Sequence, residues 1–355
     1  MRLLSGVTVL DLSRLLPGPL STWHLQLLGA EVIKIEHPHD GDYARAIGPL
    51  DGTESFLYRH LNANKALRLL NLGQDEDRRQ FLELVQQSDA VIESFRPGVM
   101  KRLGVSFQDL RAVNPRISLV SISGYGQAGA MALASGHDIN YMAVSGWLYE
   151  LVKQSRTPHM PNVQTGDVFA GVLNAALAVV SAVLAARHSG VGHHLDVSIT
   201  AGLLVSNVVP MLAVQSGSPA QAAETSLLDG GAPCYRVYAT ADNRHLAIGA
   251  LELKFWRKFC QAIGRIDWAD RHWQNGQAPG GEDARALIEE LSTVLVSRPL
   301  AYWTSLLEHV DCCVTPVLRM DEAMEHAVNA PYVTAVETPT RRAMKTVVSP
   351  VRVVA

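Results

Sequence analysis

Cysteine is scarce in this chain, with four among 355 residues. Cys234, Cys260, Cys312 and Cys313 show neither the paired spacing of a zinc site nor the framework of a disulfide-bonded secreted domain. The sequence therefore predicts no metal site. The adjacent pair Cys312 and Cys313 is expected to face two different environments in a reducing, cytoplasmic compartment.

Charge of one sign is also lacking, since 31 basic and 34 acidic residues leave a formal net charge of −3. No long basic run is present, so nucleic-acid binding is not predicted. A hydrophobic content of 48% and a charged content of 18% are typical of a soluble globular protein with a sizeable core. The length predicts about two domains.

No apolar run reaches the roughly 20 residues that a membrane span needs. The longest, residues 169–186, is rich in alanine and carries Asn174 and Ser181, so a buried helix is predicted and no membrane partner. The N-terminal apolar run leads directly to Asp11, which indicates a first strand rather than a signal peptide.

Short apolar runs alternate with helical patterns through the first 200 residues. Strands are predicted at residues 7–12, 31–35, 90–94, 117–123 and 195–199. Helices are predicted at residues 20–28, 77–87 and 107–113, the last opening on a pattern like a capping box, Ser106 to Asp109. This alternation predicts an α/β fold, with a parallel sheet in a Rossmann-like large domain at residues 1–200.

A second unit of different pattern follows. Residues 201–226 are interpreted as a helix and a connecting segment, and residues 227–316 as a small α+β domain. Within it, strands are predicted at residues 235–238 and 246–249, and helices at about residues 254–263 and 283–297.

The glycine pattern GYGQAG at residues 124–129 matches a dinucleotide motif and follows a strand. A nicotinamide cofactor would also need a helix opening at once and an acidic residue ending the next strand, and the pattern shows neither. A flexible loop at the end of a strand is therefore favoured.

His137 and Asp167 come from separate segments, GHDINY and TGDVFAG. If they face each other across a substrate carbon, one removes a proton while the other returns it. Taken alone, His137 also fits a structural histidine beside Asp138. Asp167 also fits a helix N-cap, a position that favours the ionised carboxylate.

Segments along nearly the whole chain resemble one enzyme family, and the two segments above belong to the same pattern. They are VLDLSRLLPGP (9–19), LGAEVIKIE (28–36), GDYAR (41–45), NANK (62–65), DAVIESFRPGVM (89–100), GGAPCY (230–235) and GALE (249–252). Together they resemble the class III CoA-transferase (CaiB/BaiF) superfamily, and within it the α-methylacyl-CoA racemases. The resemblance implies that residues 320–355 return to the large domain and that two subunits form an interlocked homodimer. It also implies an acyl-CoA substrate, with coenzyme A as part of the substrate and no separate cofactor.

The resemblance also implies roles for single residues. His137 and Asp167 would be the two proton carriers, Glu252 would orient His137, and the backbone N–H of Asp138 would donate to the enolate oxygen. A solvated surface glutamate is the alternative for Glu252. The guanidinium of Arg96 would contact a CoA phosphate, although a surface arginine is the alternative.

Gly126 and Tyr141 would bind CoA near the thioester, again by resemblance. The favoured function is racemisation or epimerisation of 2-methylacyl-CoA, because transferases of this class usually carry an aromatic residue where His137 stands. A CoA-transferase that forms an acyl anhydride on Asp167 stays open, since Val168–Val172 lacks the run of glycines common in racemases. A protein that binds acyl-CoA without turnover is a third alternative, which the presence of both His137 and Asp167 disfavours.

Overall fold

The computed structural model describes residues 2–151, 160–217, 224–337, 343–351 and 353. These residues divide into two compact units. One holds those of Met1–Leu148, Met160–Val208 and Ala327–Ala355, and the other those of Tyr149–His159 and Val209–His326. The domain limits expected from the sequence stay a prediction.

A parallel sheet of six strands forms the centre of the first unit, in the order β5-β2-β1-β6-β7-β8. The strands in chain order are β1 (Thr8–Asp11), β2 (Glu31–Glu36), β3 (Leu50–Asp51), β4 (Glu54–Ser55), β5 (Ala66–Leu69), β6 (Ala90–Glu93), β7 (Ser118–Ser123) and β8 (His194–Ser198). Strands β3 and β4 form a separate antiparallel pair. The predicted α/β class with a Rossmann-like sheet is confirmed.

Strand β5 has no counterpart in the sequence prediction. All four of its residues are exposed, because it lies at the edge of the sheet, so no alternating or continuous apolar pattern marks it. The predicted strand at residues 195–199 extends one residue too far. Ile199 instead starts a helix, because the Ser198 hydroxyl accepts a hydrogen bond from the Ala201 N–H at 3.3 Å.

Ten α-helices precede residue 217 in the described part of the chain. They are α1 (Pro17–Leu27), α2 (Phe56–Leu61), α3 (Asp75–Gln86), α4 (Val99–Arg102), α5 (Phe107–Val113), α6 (Asp138–Val144), α7 (Trp147–Glu150), α8 (Leu173–Ser189), α9 (Ile199–Ser206) and α10 (Val208–Gln215). Helix α1 begins three residues earlier than predicted, at Pro17, because proline fits the first helical turn, where no N–H partner is needed. The capping box of α5 is present, with the Asp109 carboxylate 2.8 Å from the Ser106 N–H.

The apolar segment predicted as a buried helix begins with a wide π-helical turn, Gly166–Val172, and continues as α8. By length and composition alone, Gly166–Ser189 is also the one described helix that passes as a candidate membrane span. Core helices of soluble proteins pass the same test, and 44% of its apolar window is buried. Ala175, Val179 and Ala182 are buried, whereas Leu177 and Leu184 are exposed, so only one face matches the prediction.

The second unit is built on a three-stranded antiparallel sheet, β11-β10-β9, formed by β9 (Tyr235–Ala239), β10 (His245–Gly249) and β11 (Val314–Pro316). Its α-helices from residue 253 onward are α11 (Leu253–Ala262), α12 (Glu282–Leu295), α13 (Leu300–Leu307) and α14 (Met320–Glu325). Trp256, Phe259 and Leu291 are fully buried in its core. A hairpin of β12 (Val333–Glu337) and β13 (Ala343–Val347) belongs to the first unit.

A buried ion cluster lies at the carboxyl end of β1. The Lys65 ammonium donates to the Asp11 carboxylate at 3.0 Å, and the Lys34 ammonium lies 3.3 Å from the Asp42 carboxylate and 3.9 Å from that of Asp11. These four side chains are at most 1% exposed. Although burial alone raises the pKa of Asp11, the charges of Lys34 and Lys65 hold it well below its usual range.

We expect Lys65→Met to lower the free energy of unfolding by about 3–5 kcal/mol, because it leaves part of a buried charge network without its partner. The Lys65 ammonium also donates to the Pro19 carbonyl and the Thr22 hydroxyl, both at 2.9 Å, and the substitution removes both hydrogen bonds. Urea unfolding followed by circular dichroism measures the change. Lys101→Met, on an exposed site of α4, is the control and should stay within about 0.5 kcal/mol of wild type. Equal effects of the two substitutions would contradict the importance of the cluster.

Candidate active site

A cavity of about 500 Å³ opens at the carboxyl end of the parallel sheet in the first unit. It lies between the loops that follow β1 and β6, where the strand order reverses, and such switch points are where open α/β sheets bind ligands. Its lining includes Arg14, Tyr43, Arg96, His137, Tyr141 and Asp167.

The loop after β1 is fixed to the ion cluster. Leu15 has a left-handed backbone (φ of 61°), and its N–H donates to the Asp42 carboxylate at 3.0 Å. Arg14 is fixed from the other side, because its N–H donates to the Ser94 hydroxyl at 3.1 Å. The same Asp42 carboxylate accepts from the Ala44 N–H at 2.9 Å and so starts the short helix that carries Tyr43. The cavity walls contributed by Arg14 and Tyr43 therefore share one anchor.

His137, Asp138 and Asp167 meet where two helices begin. His137 is the exposed N-cap of α6, and its N–H donates to the Asn140 side chain at 3.0 Å. The Asp138 carboxylate accepts from the Asp167 N–H at 2.8 Å, which joins α6 to the π-helical turn. Gly166 allows this approach, because a Cβ there would lie 2.9 Å from the Asp138 carboxylate oxygen.

The two carboxyl groups are both harder to ionise than usual. Burial, and secondly the negative charge of Asp138, raise the pKa of Asp167 to about 7. Burial also raises the pKa of Asp138, although hydrogen bonds from the backbone N–H groups of Asp167 and Gly166 partly oppose this. Asp167 is therefore suited to exchange a proton near neutral pH.

Tyr141 packs directly on the backbone of two glycines. A Cβ on Gly124 would lie 2.0 Å, and one on Gly136 2.8 Å, from the Tyr141 ring. The Tyr141 hydroxyl donates to the Gly136 carbonyl, and the ring meets that of Tyr125 edge to face at 5.2 Å. Burial and the charge of Asp167 raise the pKa of Tyr141 to about 12, so the phenol keeps its proton. The ring thereby fixes the segment that precedes His137.

Of the three residues predicted to contact CoA, two line the cavity and one lies in an adjoining loop. Arg96 and Tyr141 line the cavity, and Nη2 of Arg96 donates to the Ser135 hydroxyl at 2.7 Å, which among the described residues leaves other guanidinium donors for a ligand. Gly126 is in the adjoining loop, with φ of 90° and its N–H donating to the Ser123 hydroxyl at 3.0 Å. Gly126 is outside the cavity lining that the described residues form. Its role in CoA binding stays a prediction.

The remaining predicted site residue, Glu252, belongs to the second unit. It is the N-cap of α11, just after β10, and its carbonyl accepts from the Phe255 N–H at 2.9 Å. Its role in orienting His137 stays a prediction. Among the described residues, no group of three or more His, Cys, Asp or Glu side chains is arranged to hold a metal ion.

Two lining residues, Arg14 and Tyr43, were not singled out as site residues from the sequence. Both belong to segments quoted for the family resemblance, and both directly follow a strand or its loop at the carboxyl edge of the sheet. Position at the carboxyl edge was the signal available for Arg14 and Tyr43.

A second cavity of about 430 Å³ lies beside the first and shares Arg14 and Phe95 with it.

Comparison with known proteins gives one family over nearly the whole chain. Residues 4–355 match the sequence model of CoA-transferase family III. Alpha-methylacyl-CoA racemase of Homo sapiens is 29% identical over 330 residues, which cover 92% of this chain and 80% of that protein. Acetyl-CoA:oxalate CoA-transferase of Acetobacter aceti is 32% identical over 325 residues, which cover 90% and 81%. The crystal structure of Rv3272 from Mycobacterium tuberculosis has a TM-score of 0.82 at 26% identity, over 99% of this chain and 93% of that one.

We expect Asp167→Asn to stabilise the folded protein at pH 8. Folded wild type keeps this proton up to about pH 7, whereas the unfolded chain loses it near the ordinary pKa of 3.8. Wild type therefore loses stability as pH rises between these values, and the uncharged variant does not. Thermal unfolding should show a higher midpoint for the variant at pH 8 and a smaller gap at pH 5.

The control is Asp270→Asn, which removes a carboxylate whose side chain is 75% exposed. Its midpoint should follow that of wild type at both pH values. A gap for Asp167→Asn that is absent at pH 8, or that widens as the pH falls, would contradict the raised pKa.

Proposed function

Because the chain belongs to CoA-transferase family III, a family of enzymes, we propose that it is a racemase or epimerase of 2-methylacyl-CoA thioesters. His137 and Asp167 remove and return the α-proton on opposite faces of the carbon. Coenzyme A is part of the substrate, and no other cofactor takes part. The proposed location is the cytoplasm.

One observation carries the choice of racemase. The cavity holds His137 and Asp167, burial raises the pKa of Asp167 to about 7, and Asp138 joins the two helices that carry them. A general acid or base works best with a pKa near the working pH. A nucleophilic carboxylate that forms an acyl anhydride gains nothing from being half protonated, so the raised pKa supports proton transfer over acyl transfer.

The proposed step needs a group to stabilise the enolate. When one carrier takes the α-proton, the electron pair moves onto the thioester oxygen, and the second carrier then gives a proton to the other face. The Asp138 N–H is in the first turn of α6 and has no hydrogen-bond acceptor among the described residues. A backbone donor aimed at a developing oxyanion is worth several kcal/mol in a site that excludes water, and we assign it this role.

The two adjoining cavities suit a long substrate. We place the thioester in the cavity that contains Asp167 and the nucleotide end of CoA toward the cavity lined by Arg102. Arg96 follows Phe95, which lines both cavities, and it has guanidinium donors that no described residue occupies, so it can reach a phosphate between them.

The alternative function is a CoA-transferase. The relative from Acetobacter aceti bears that name, and its identity of 32% is no lower than that of the racemase, so the family alone does not separate the two activities. In this alternative the Asp167 carboxylate attacks the thioester carbon, releases CoA and carries the acyl group as an anhydride.

A homodimer is part of the proposal. Phe169, Leu173, Leu177 and Leu184 are spaced along one side of the Gly166–Ser189 helix and are 48–71% exposed. A contiguous apolar face of this kind is typical of a protein interface, and the proposed occupant is a second copy of the chain.

We expect the protein to exchange the C2 proton of a 2-methylacyl-CoA with heavy water when no second carboxylic acid is present. Mass spectrometry of the recovered thioester measures deuterium at C2. His137→Ala and Asp167→Asn should each lower the exchange rate by about 100-fold or more, because each removes a general acid/base. His188→Ala, an exposed histidine at the end of α8, is the control and should exchange at the wild-type rate.

The same assay separates the two activities. Exchange that requires an added carboxylic acid, or transfer of CoA to that acid faster than exchange, would establish the transferase instead.

We expect Arg96→Ala to raise KM for acyl-CoA roughly 10- to 100-fold and to leave kcat largely unchanged. A phosphate contact binds the ground state and the transition state equally, and a charge-assisted hydrogen bond contributes about 1.5–3 kcal/mol. Steady-state kinetics with acyl-CoA and with a thioester lacking the nucleotide measure the effect, which should shrink for the truncated substrate. Arg116→Ala, outside this cavity, is the control. An unchanged KM for Arg96→Ala would mean that CoA binds elsewhere.

A further inference from the structure

Glu93, the last residue of β6, is a buried carboxyl group without a cationic neighbour in the part of the chain that the structure describes. Five carboxyl groups are buried among the described residues. The other four each pair with a lysine or an arginine, in the pairs Asp11–Lys65, Asp42–Lys34, Glu36–Arg45 and Asp51–Arg59. Burying a charge that no cation balances is costly, so the carboxyl group of Glu93 calls for a role other than stability.

The Glu93 carboxylate holds the turn that follows its strand. Its Oε2 accepts a hydrogen bond from the Phe95 N–H at 2.6 Å. Phe95 lines both cavities, and Arg96, the predicted CoA contact, lines the first. Ser94 in the same turn accepts from the Arg14 N–H at 3.1 Å, so the loop after β1 is fixed to this turn as well. Glu93 is outside both cavity linings that the described residues form, and it acts on a ligand through the turn.

The same carboxylate begins a chain of hydrogen bonds across three parallel strands. Glu93 and Ser121 are paired in β6 and β7, and the Ser121 hydroxyl hydrogen-bonds the carboxylate. The Ser121 Oγ lies 2.9 Å from Nε2 of His194 on β8. When Glu93 is ionised, Ser121 donates to it and can accept from His194. When Glu93 is protonated, its own O–H can donate to Ser121, whose hydroxyl then turns toward His194.

These three residue types also occur in hydrolytic triads, but their order here is different. In a triad the histidine lies between the serine and the carboxylate, and the serine is open to substrate. Here Ser121 lies in the middle and is only 1% exposed, so no substrate carbonyl can reach its hydroxyl. The chain can hold or move a proton, but it cannot form an acyl-enzyme.

Two titratable groups of β8 lie near Glu93. Asp196 is paired with Ser121 in the sheet, and its carboxylate accepts from the Gln127 N–H at 2.7 Å. His194 is at the exposed end of the hydrogen-bond chain. No lysine or arginine of the described residues affects the titration of Glu93. The surroundings therefore make a second negative charge at Glu93 unfavourable.

This arrangement lets Glu93 change its charge near neutral pH. Burial, and to a smaller extent the charge of Asp196, raise the pKa of Glu93 to about 7, although the hydrogen bonds from Ser121 and Phe95 partly oppose this. Above pH 7 the Phe95 N–H donates to a carboxylate, and below pH 7 it meets a neutral acid. A hydrogen bond to an ionised acceptor is about twice as strong as one to a neutral acceptor.

We propose that Glu93 is a positioning residue for the acyl-CoA substrate: its ionised carboxylate holds the turn of Phe95 and Arg96 in the form that binds CoA, and a proton taken up by Glu93 loosens that turn. The proposal rests on the acyl-CoA function above, whether the reaction is proton transfer or CoA transfer. Because binding then favours the ionised form, acyl-CoA should displace a proton from Glu93 when it binds near pH 7.

The test is equilibrium binding of an unreactive thioether, S-propyl-CoA, measured by isothermal titration calorimetry at pH 6 and pH 8. The ligand undergoes no acyl transfer, so the result does not depend on which reaction the enzyme catalyses. Glu93→Gln keeps an acceptor oxygen but cannot ionise. We expect it to weaken binding roughly 3- to 10-fold at pH 8, and less than about 2-fold at pH 6, where wild-type Glu93 is largely protonated.

A matched control and a second readout separate this role from a general loss of structure. Glu83→Gln removes an exposed carboxylate of α3, outside both cavities, and should leave the dissociation constant unchanged at both pH values. Titrations at pH 7 in two buffers of different ionisation enthalpy count the protons released on binding. Wild type and Glu83→Gln should release more protons than Glu93→Gln does.

Ser121→Ala gives an independent test that also serves if Glu93→Gln does not fold. It removes a hydrogen bond that favours the ionised form of Glu93 but leaves the carboxyl group and the Phe95 N–H in place. The pKa of Glu93 should therefore rise further, and the loss of affinity with falling pH should begin at a higher pH than in wild type.

Three outcomes would overturn the proposal. Equal weakening by Glu93→Gln at pH 6 and pH 8 would make Glu93 a structural residue only. Wild-type affinity of this variant at both pH values, or an unchanged pH dependence in Ser121→Ala, would show that CoA binding does not depend on the charge of Glu93. Failure of wild type to bind S-propyl-CoA would reject the acyl-CoA function itself, whereas failure of the exchange assay with the expected pH dependence intact would reject only the racemase.

Discussion

The ion cluster of Asp11, Lys34, Asp42 and Lys65 is the interaction on which the candidate site depends. Two carboxylates and two ammonium groups balance in a region that water does not reach. Each side chain comes from a different strand or loop, so the cluster joins β1, β2 and the segment after α2. Asp42 extends this order outward through its hydrogen bonds to the loop that carries Arg14 and the turn that carries Tyr43. Burial lowers the pKa of Lys65 to about 8 even beside Asp11, which shows how strongly the site excludes solvent.

At this end of the sheet, the pKa values of two carboxyl groups are shifted in opposite directions. Asp11 has two ammonium neighbours and stays ionised, whereas Asp167 has the negative Asp138 beside it and holds its proton to about pH 7. Both are largely removed from water, so the sign of the neighbouring charge decides the outcome. One carboxylate thereby becomes a structural anchor and the other becomes suited to proton exchange, a division of roles known in enzymes that use paired carboxyl groups.

Sequence patterns located most of the framework and only part of the site. Buried strands such as Ala90–Glu93 were predictable, because apolar runs mark strands covered on both faces. The exposed edge strand Ala66–Leu69 carries no such mark. His137 and Asp167 were identified by family resemblance, and the hydrogen bond from Asp167 to Asp138 was not foreseen, since it joins segments 29 residues apart. Arg14 drew no attention for a similar reason: that no described residue pairs with its guanidinium is visible only once distant carboxylates are located and found to be occupied.

The wide turn at Gly166–Val172 limits how the length of the chain can change near the active site. A π-helical turn takes up an extra residue relative to an α-helix, so the residues before it face a direction that a regular helix would not give them. Loss of one residue within the turn would restore α-helical winding and rotate Asp167 by about 100° about the helix axis, while the buried Ala175 and Val179 kept their places. A change in the length of this turn cannot occur without turning the carboxyl group of Asp167 away from the cavity. The spacing from Asp167 to the apolar face of α8 is therefore part of the active site, as the residues of the turn are.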